Sequence, residues 1–110
     1  MEVRRTAGGL KIHLEKPKPR DRYVPSVDRL FSTASDACGD RLLAVVMTGM
    51  GDDGADAVRK VKELGGKTIA EAASTSVIFG MPGEAIRTGA VDEVVPLFEI
   101  PAAIRRLCGC

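Results

Sequence analysis

Residues 42–55 read LLAVVMTGMGDDGA: a short apolar run, a glycine-rich turn carrying two aspartates, then the start of an amphipathic stretch. LLAVVM (42–47) has no polar alternation, which predicts a strand covered on both faces, as in a parallel sheet. ADAVRKVKEL (55–64) sets Ala57, Val58, Val61 and Leu64 on one helical face and turns Arg59, Lys60, Lys62 and Glu63 outward; Gly65-Gly66 ends it. The glycine turn therefore leaves the carboxyl end of a strand and opens a helix, the edge at which open α/β sheets collect their chemistry.

Working outward, KTIAEA (67–72) reads as a second strand and PGEAIRT (82–88) as a short helix with Pro82 in its first turn. DEVVP (92–96) reads as a third strand, and LFEIPAAIRRL (97–107) as a terminal helix interrupted or entered at Pro101. Upstream, SVDRLFSTASDAC (26–38) places Val27, Leu30, Phe31 and Ala34 on one face of a helix that Gly39 stops. KPKPRDRYVP (16–25) has too much proline for a regular element, and VRRT with LKIHL around AGG reads as an N-terminal β-hairpin. Strands alternating with helices predict an α/β fold: a parallel sheet with right-handed crossovers and flanking helices, an incomplete doubly wound domain preceded by the hairpin.

The composition excludes several classes of partner. With 110 residues, 45% hydrophobic and 28% charged, the chain is one globular domain or a piece of one. Sixteen basic against fifteen acidic side chains leave a net charge of +1, too little for a field that gathers nucleic acid. KPKPRDR (16–22) is basic but holds Asp21, and reads as a solvated loop. Met1 is followed by Glu2, Arg4 and Arg5 rather than an apolar core, and no apolar run approaches the roughly 20 residues of a membrane span, so a cytoplasmic location is expected. Cys38, Cys108 and Cys110 are expected to be thiols, the last two in a frayed Cys-Gly-Cys tail; no ligand set for a metal accompanies them.

Gly49, Gly51 and Gly54 satisfy the G-x-G-x-x-G pattern of a dinucleotide turn, and Glu71 stands about where a ribose-binding acid belongs. The chemistry is unfavourable, because Asp52 and Asp53 enter the space of the phosphate. Two like charges ~4 Å apart at an effective dielectric near 20 repel by about 4 kcal/mol, roughly a thousandfold in affinity. Spacing alone favours a plainer reading, in which Asp53 caps the helix that follows and Asp52 is solvated.

A longer comparison adds to this. MTGMGDDGA (47–55), GGKTIAEAASTSVIFGMPGEAIRTGAVDEVVP (65–96) and KPRDRYVPSVDRLF (18–31) together resemble, in order and spacing, the carboxyl-terminal half of the catalytic domain of CheB-type protein-glutamate methylesterases of bacterial chemotaxis. The resemblance covers nearly the whole chain, so residues 1–110 are expected to be the carboxyl-terminal portion of such a domain. It implies a parallel α/β sheet and hydrolysis of glutamyl methyl esters on chemoreceptors, with deamidation of receptor glutamines, and no cofactor. It places the aspartate of a Ser-His-Asp triad at Asp53 and lines the active site with Met50, leaving Asp52 as exposed support. The implied partners are methylated receptor segments, the amino-terminal half of the catalytic domain and a receiver domain.

Three departures matter. GMPGEA (80–85) has Gly83 where the family commonly has arginine, so any contact that this arginine makes with the acidic receptor segment is expected to be missing here. The family's nucleophile serine and its histidine belong to the other half of the domain. His13 lies in the hairpin and does not inherit the catalytic role, and Ser74, Thr75 and Ser76 lack a nucleophile elbow and read as caps or turns. The chain alone is therefore expected to be inactive, as a truncated product, an internal start or a cloned fragment. Two alternatives stand beside that reading: a non-catalytic interaction fragment in chemotaxis signalling and, more weakly, a nucleotide-binding half-domain.

Overall fold

The computed structural model describes residues 1–109, so Cys110 of the Cys-Gly-Cys tail lies outside the described residues. β1 (Glu2–Thr6) and β2 (Gly9–His13) form an antiparallel hairpin. After the proline-rich loop come α1 (Val27–Cys38), a single 3-10 turn and β3 (Leu43–Val46). α2 (Ala55–Glu63), β4 (Lys67–Glu71), α3 (Met81–Arg87), β5 (Glu93–Val95) and α4 (Ile100–Cys108) complete the chain. The three later strands form one parallel sheet in the order β3-β4-β5, from Leu43 opposite Lys67 to Glu71 opposite Val95. This is the predicted α/β architecture, with helices on both faces. Among the described residues no helix is long and apolar enough to cross a membrane.

Apolar alternation on each strand divides the core into two layers. On one face, Val46, Val58, Ala85 and Ala90 pack together with Phe31, Met81 and Val91, which closes α2 and α3 onto the sheet. On the other, Ile69, Ile100 and Ala103 pack with Leu43, Val45, Val95 and Leu107 beneath α4. The hairpin does not join this sheet. It leans on α1, where Val3 N–H donates to Thr33 Oγ1 at 3.0 Å and Arg5 donates to the Ala37 carbonyl at 2.9 Å.

Three expectations change in detail. The run LLAVVM predicts a strand covered on both faces, yet β3 is an edge strand whose Leu43 and Val45 are only half-buried. Its apolar character exceeds what the described residues cover. Leu64 belongs by spacing to the buried face of α2, but the helix ends at Glu63 and Leu64 is left 42% exposed as it turns away. The terminal helix is entered at Pro101: Leu97–Glu99 form a 3-10 turn and Pro101 sits in the first turn of α4, where its missing N–H costs nothing.

Among the described residues one buried side-chain atom is left unsatisfied. Thr68, on the central strand, is fully buried, and its Oγ1 has no hydrogen-bond partner among the described residues. A buried polar atom without a partner costs roughly 1–3 kcal/mol, and valine has nearly the same shape without the hydroxyl. Thr68→Val is expected to stabilise the chain by about 1 kcal/mol, a rise of roughly 4–8 °C in Tm. Thermal unfolding of the two proteins side by side measures this; an unchanged or lower Tm contradicts it.

Candidate active site

The turn leaving β3 folds tightly because Gly51 and Gly54 both have positive φ, 90° and 99°. A Cβ on Gly51 would stand 2.6 Å from the Tyr23 hydroxyl, so the tightness is also one of space. Between these glycines, Asp53 is 4% exposed. Its Oδ2 accepts from Val27 N–H at 2.7 Å and its Oδ1 from Asp28 N–H at 2.9 Å, the first two amides of α1. Ser26 accepts from Arg29 N–H at 3.1 Å and completes that terminus. Asp53 does act as a helix cap, but for α1, not for the helix that follows it; the N-cap of α2 is Gly54, which has no capping side chain.

The relation is reciprocal. Asp28, in the first turn of α1, accepts from Ala57 N–H at 3.0 Å in the first turn of α2. Two helix N-termini, each with partial positive charge, thus share two carboxylates between them. The arrangement opposes a nucleotide: a phosphate at α2 would find an amide already occupied and three aspartates around it.

Crowding shows in Asp28. Burial raises its carboxyl pKa above the usual aspartate value, and the charges of Asp53 and Asp56 act in the same direction, against the hydrogen bonds from Ala57 and Gly54. A raised folded-state pKa means that the favourable contribution exists at low pH and is lost as pH rises through the folded value. Asp28→Asn keeps an acceptor for Ala57 without the charge. Its gain in stability over the parent is expected to be near zero at about pH 3 and full at about pH 7, read from urea midpoints. A variant less stable than its parent at neutral pH would overturn this.

Asp52 is tied down more than its expected exposure suggests. Tyr23 donates to its Oδ1 at 2.8 Å and Arg22 to the same atom at 3.2 Å, with the Arg22 guanidinium 5.3 Å from the Tyr23 ring centroid. The Tyr23 hydrogen bond, with Arg22 contributing, holds its pKa below the usual value against some desolvation. The proline-rich loop is thereby pinned over the turn, while the Asp52 side chain remains 43% exposed.

Met50 projects from the turn, 79% exposed, at the carboxyl edge of the sheet. Beside it runs the segment 77–81, joined to the turn by Gly49 N–H to the Ile78 carbonyl at 3.0 Å and Met81 N–H to the Gly49 carbonyl at 2.8 Å. That segment exposes Val77, Ile78 and Phe79, so the two loops together present an apolar shelf. A Cβ on Gly83 would approach the Phe79 ring at 3.1 Å; the absence of a side chain there gives Phe79 its place.

The remaining candidates lie elsewhere or serve the backbone. Thr75 and Ser76 make turn contacts, Ser76 Oγ donating to the Ala72 carbonyl at 2.9 Å. His13 sits in the hairpin against Glu15, 3.3 Å away, and not against Asp53. Glu2, His13 and Glu15 bring three possible metal-ligand atoms together, but the Arg4 guanidinium already binds both carboxylates at 3.0 and 3.1 Å and would have to be displaced. Sequence reading noticed Glu71 only as a possible ribose acid. It is 1% exposed and accepts from Thr48 N–H and from the Thr75 hydroxyl, both at 2.9 Å.

Residues 1–104 match the family model described as CheB methylesterase. The chain belongs to the CheB methylesterase family. It is 47% identical over 107 residues to protein-glutamate methylesterase/protein-glutamine glutaminase 1 of Myxococcus xanthus, covering 97% of this chain and 31% of that protein. The corresponding protein 3 of Geobacter sulfurreducens is 44% identical over 109 residues, covering 99% of this chain and 29% of its own length. The crystal structure of the Thermotoga maritima CheB methylesterase catalytic domain superposes with a TM-score of 0.91 at 35% identity, over 96% of this chain and 56% of that one. The chain thus spans about a third of the curated CheB relatives it matches and just over half of the solved CheB domain.

Proposed function

We propose that residues 1–110 are the carboxyl-terminal portion of a protein-glutamate methylesterase catalytic domain and supply the aspartate of its Ser-His-Asp triad, Asp53. The observation that carries this reading is the state of the Asp53 carboxylate, buried at the carboxyl edge of the sheet with one helix amide on each oxygen. Each oxygen keeps a further lone pair that can accept from an imidazole N–H. An ionised carboxylate on a rigid strand end is what a histidine needs in order to present one tautomer and bear a positive charge.

In this reading the histidine and the nucleophile serine come from the rest of the domain. The histidine takes the serine proton as the oxygen attacks the ester carbonyl of a glutamyl methyl ester; methanol leaves with that proton, and water then releases glutamate by the same steps. A glutamine side chain follows the same path with ammonia as the leaving group. No cofactor enters. Met50 and the apolar shelf line the face where substrate and the rest of the domain meet. The substrate segments are cytoplasmic parts of methylated chemoreceptors, and a receiver domain is a further partner. The alternative of an interaction fragment draws on the same exposed shelf without requiring chemistry.

The test is to join the chain to the part of the Thermotoga maritima domain that it does not match. Methanol release from a glutamyl methyl ester peptide is expected from this completed domain and not from the chain alone. Release by the unjoined chain, or none by the completed domain, would overturn the reading.

A further inference from the structure

Glu71 is the buried acid that the proposed chemistry leaves without a task. Among the described residues no cation pairs with it, and its carboxylate rests on two donors only. Burying a polar side chain is costly unless it is hydrogen-bonded, so these two donors account for its burial. Its position explains what it does. The β3–β4 ladder closes with Val46 opposite Ala70. Immediately beyond, the Glu71 side chain takes the Thr48 amide at 2.9 Å, and the next turn residue Gly49 gives its amide to the Ile78 carbonyl and forms a parallel bridge with Phe79. The other carboxylate oxygen accepts from Thr75, whose Oγ1 in turn accepts from Leu97 N–H at 2.9 Å, just past β5. A single chain of hydrogen bonds thus runs across the carboxyl edge from the end of β5 to the root of the turn that carries Met50 and Asp53.

We infer that Glu71 is a positioning residue for the ester hydrolysis proposed above: by holding the Thr48 amide it sets the exit angle of the turn and with it the placement of Met50 at the reaction face. This rests on the assignment of that turn to the active site. Glu71 touches no reacting atom; it acts through the main chain of residues 48–50.

The completed domain tests it, with the parent assayed first. Glu71→Ala is expected to lower kcat for the glutamyl methyl ester about 30-fold with KM within about threefold, because a small misplacement of a site costs rate more than affinity. Glu71→Gln should return kcat to within about threefold of the parent, since its oxygen can accept from Thr48 and its NH₂ can donate to Thr75. Thr75→Val, which breaks only the outer link, should fall between them, and it carries the kinetic test if Glu71→Ala does not fold. A lower unfolding midpoint with kcat of the folded protein unchanged in Glu71→Ala, or in Thr75→Val where that variant carries the test, would overturn the inference. A parent without activity would instead count against the functional reading. Amide exchange in the chain then decides on Glu71: faster exchange of Thr48, Gly49 and Met50 by about tenfold in Glu71→Ala but not in Glu71→Gln supports it, and equal exchange in the two overturns it.

Discussion

Asp53→Asn is expected to lower turnover of the completed domain by roughly 10⁴-fold, the loss found when a triad histidine is left in the wrong tautomer. The geometry adds a second consequence. Asp53 accepts Val27 N–H on one oxygen and Asp28 N–H on the other. Asparagine has one carbonyl oxygen, so its NH₂ must face one of those two donors. One amide of α1 then loses its partner, a cost of roughly 1–3 kcal/mol, small beside the catalytic loss but visible in a urea titration. The two effects separate by experiment, since kinetics well below the unfolding midpoint report only folded protein. Asp52→Asn is the comparison. Its carboxylate is partly exposed and its partners Tyr23 and Arg22 hold a surface loop, so turnover should fall by less than about tenfold. Equal losses in the two variants would show that Asp53 serves α1 alone, as a cap and nothing more.

The contacts of Asp53 also show where sequence reading succeeded and where it could not reach. The strands and helices from residue 42 onward were legible because their signals are local: an apolar run, a spacing of three and four, glycines at the ends. Spacing alone left Asp53 as a cap for the helix that follows, and only the family resemblance singled it out from Asp52. Its partners were not legible. Val27 and Asp28 lie 26 and 25 residues away, and nothing in either segment states that α1 will lay its N-terminus against the turn. That contact follows from α1 packing beside α2, and the same packing hands Ala57 to Asp28. The edge position of β3 was hidden for the same reason: strand order is a property of the whole sheet, while LLAVVM records only how much burial the strand is suited to. Glu71 was hidden by ambiguity. One glutamate at the end of TIAE looks the same whether it faces water or, as here, bonds Thr48 and Thr75 under cover. Family resemblance supplied what local signals lacked, placing Asp53 and Met50 in one turn before any distance was known.

The junction of the two loops at the carboxyl edge makes the last prediction a steric one. Gly80 has φ −80° and ψ −71°, a conformation that alanine adopts without strain. Space is the obstacle. A Cβ there would stand 2.7 Å from the Gly49 carbonyl oxygen, 2.9 Å from Gly51 N and 3.1 Å from the Gly51 carbonyl oxygen, all main-chain atoms that no rotamer change can move. The segment must retreat from the turn, and in retreating it gives up the bonds of Gly80 N–H and Met81 N–H to the Gly49 carbonyl, now at 3.1 and 2.8 Å. Overpacking of this kind costs about 1–3 kcal/mol, and Gly80→Ala is expected at the upper end because backbone rather than side chain must yield. Gly89→Ala separates crowding from backbone conformation: Gly89 has φ 76° but nothing within 4 Å of its Cβ position, so only the left-handed backbone resists, at about 1 kcal/mol. Urea unfolding should therefore rank Gly80→Ala below Gly89→Ala, and both below the parent. The turn should also feel the difference, with kcat of the completed domain falling at least about tenfold in Gly80→Ala and by less than about twofold in Gly89→Ala. If Gly80→Ala unfolds at the parent's urea concentration, the two loops are not packed as closely as these distances require, and the turn at Gly49 and Gly51 is not held against segment 77–81.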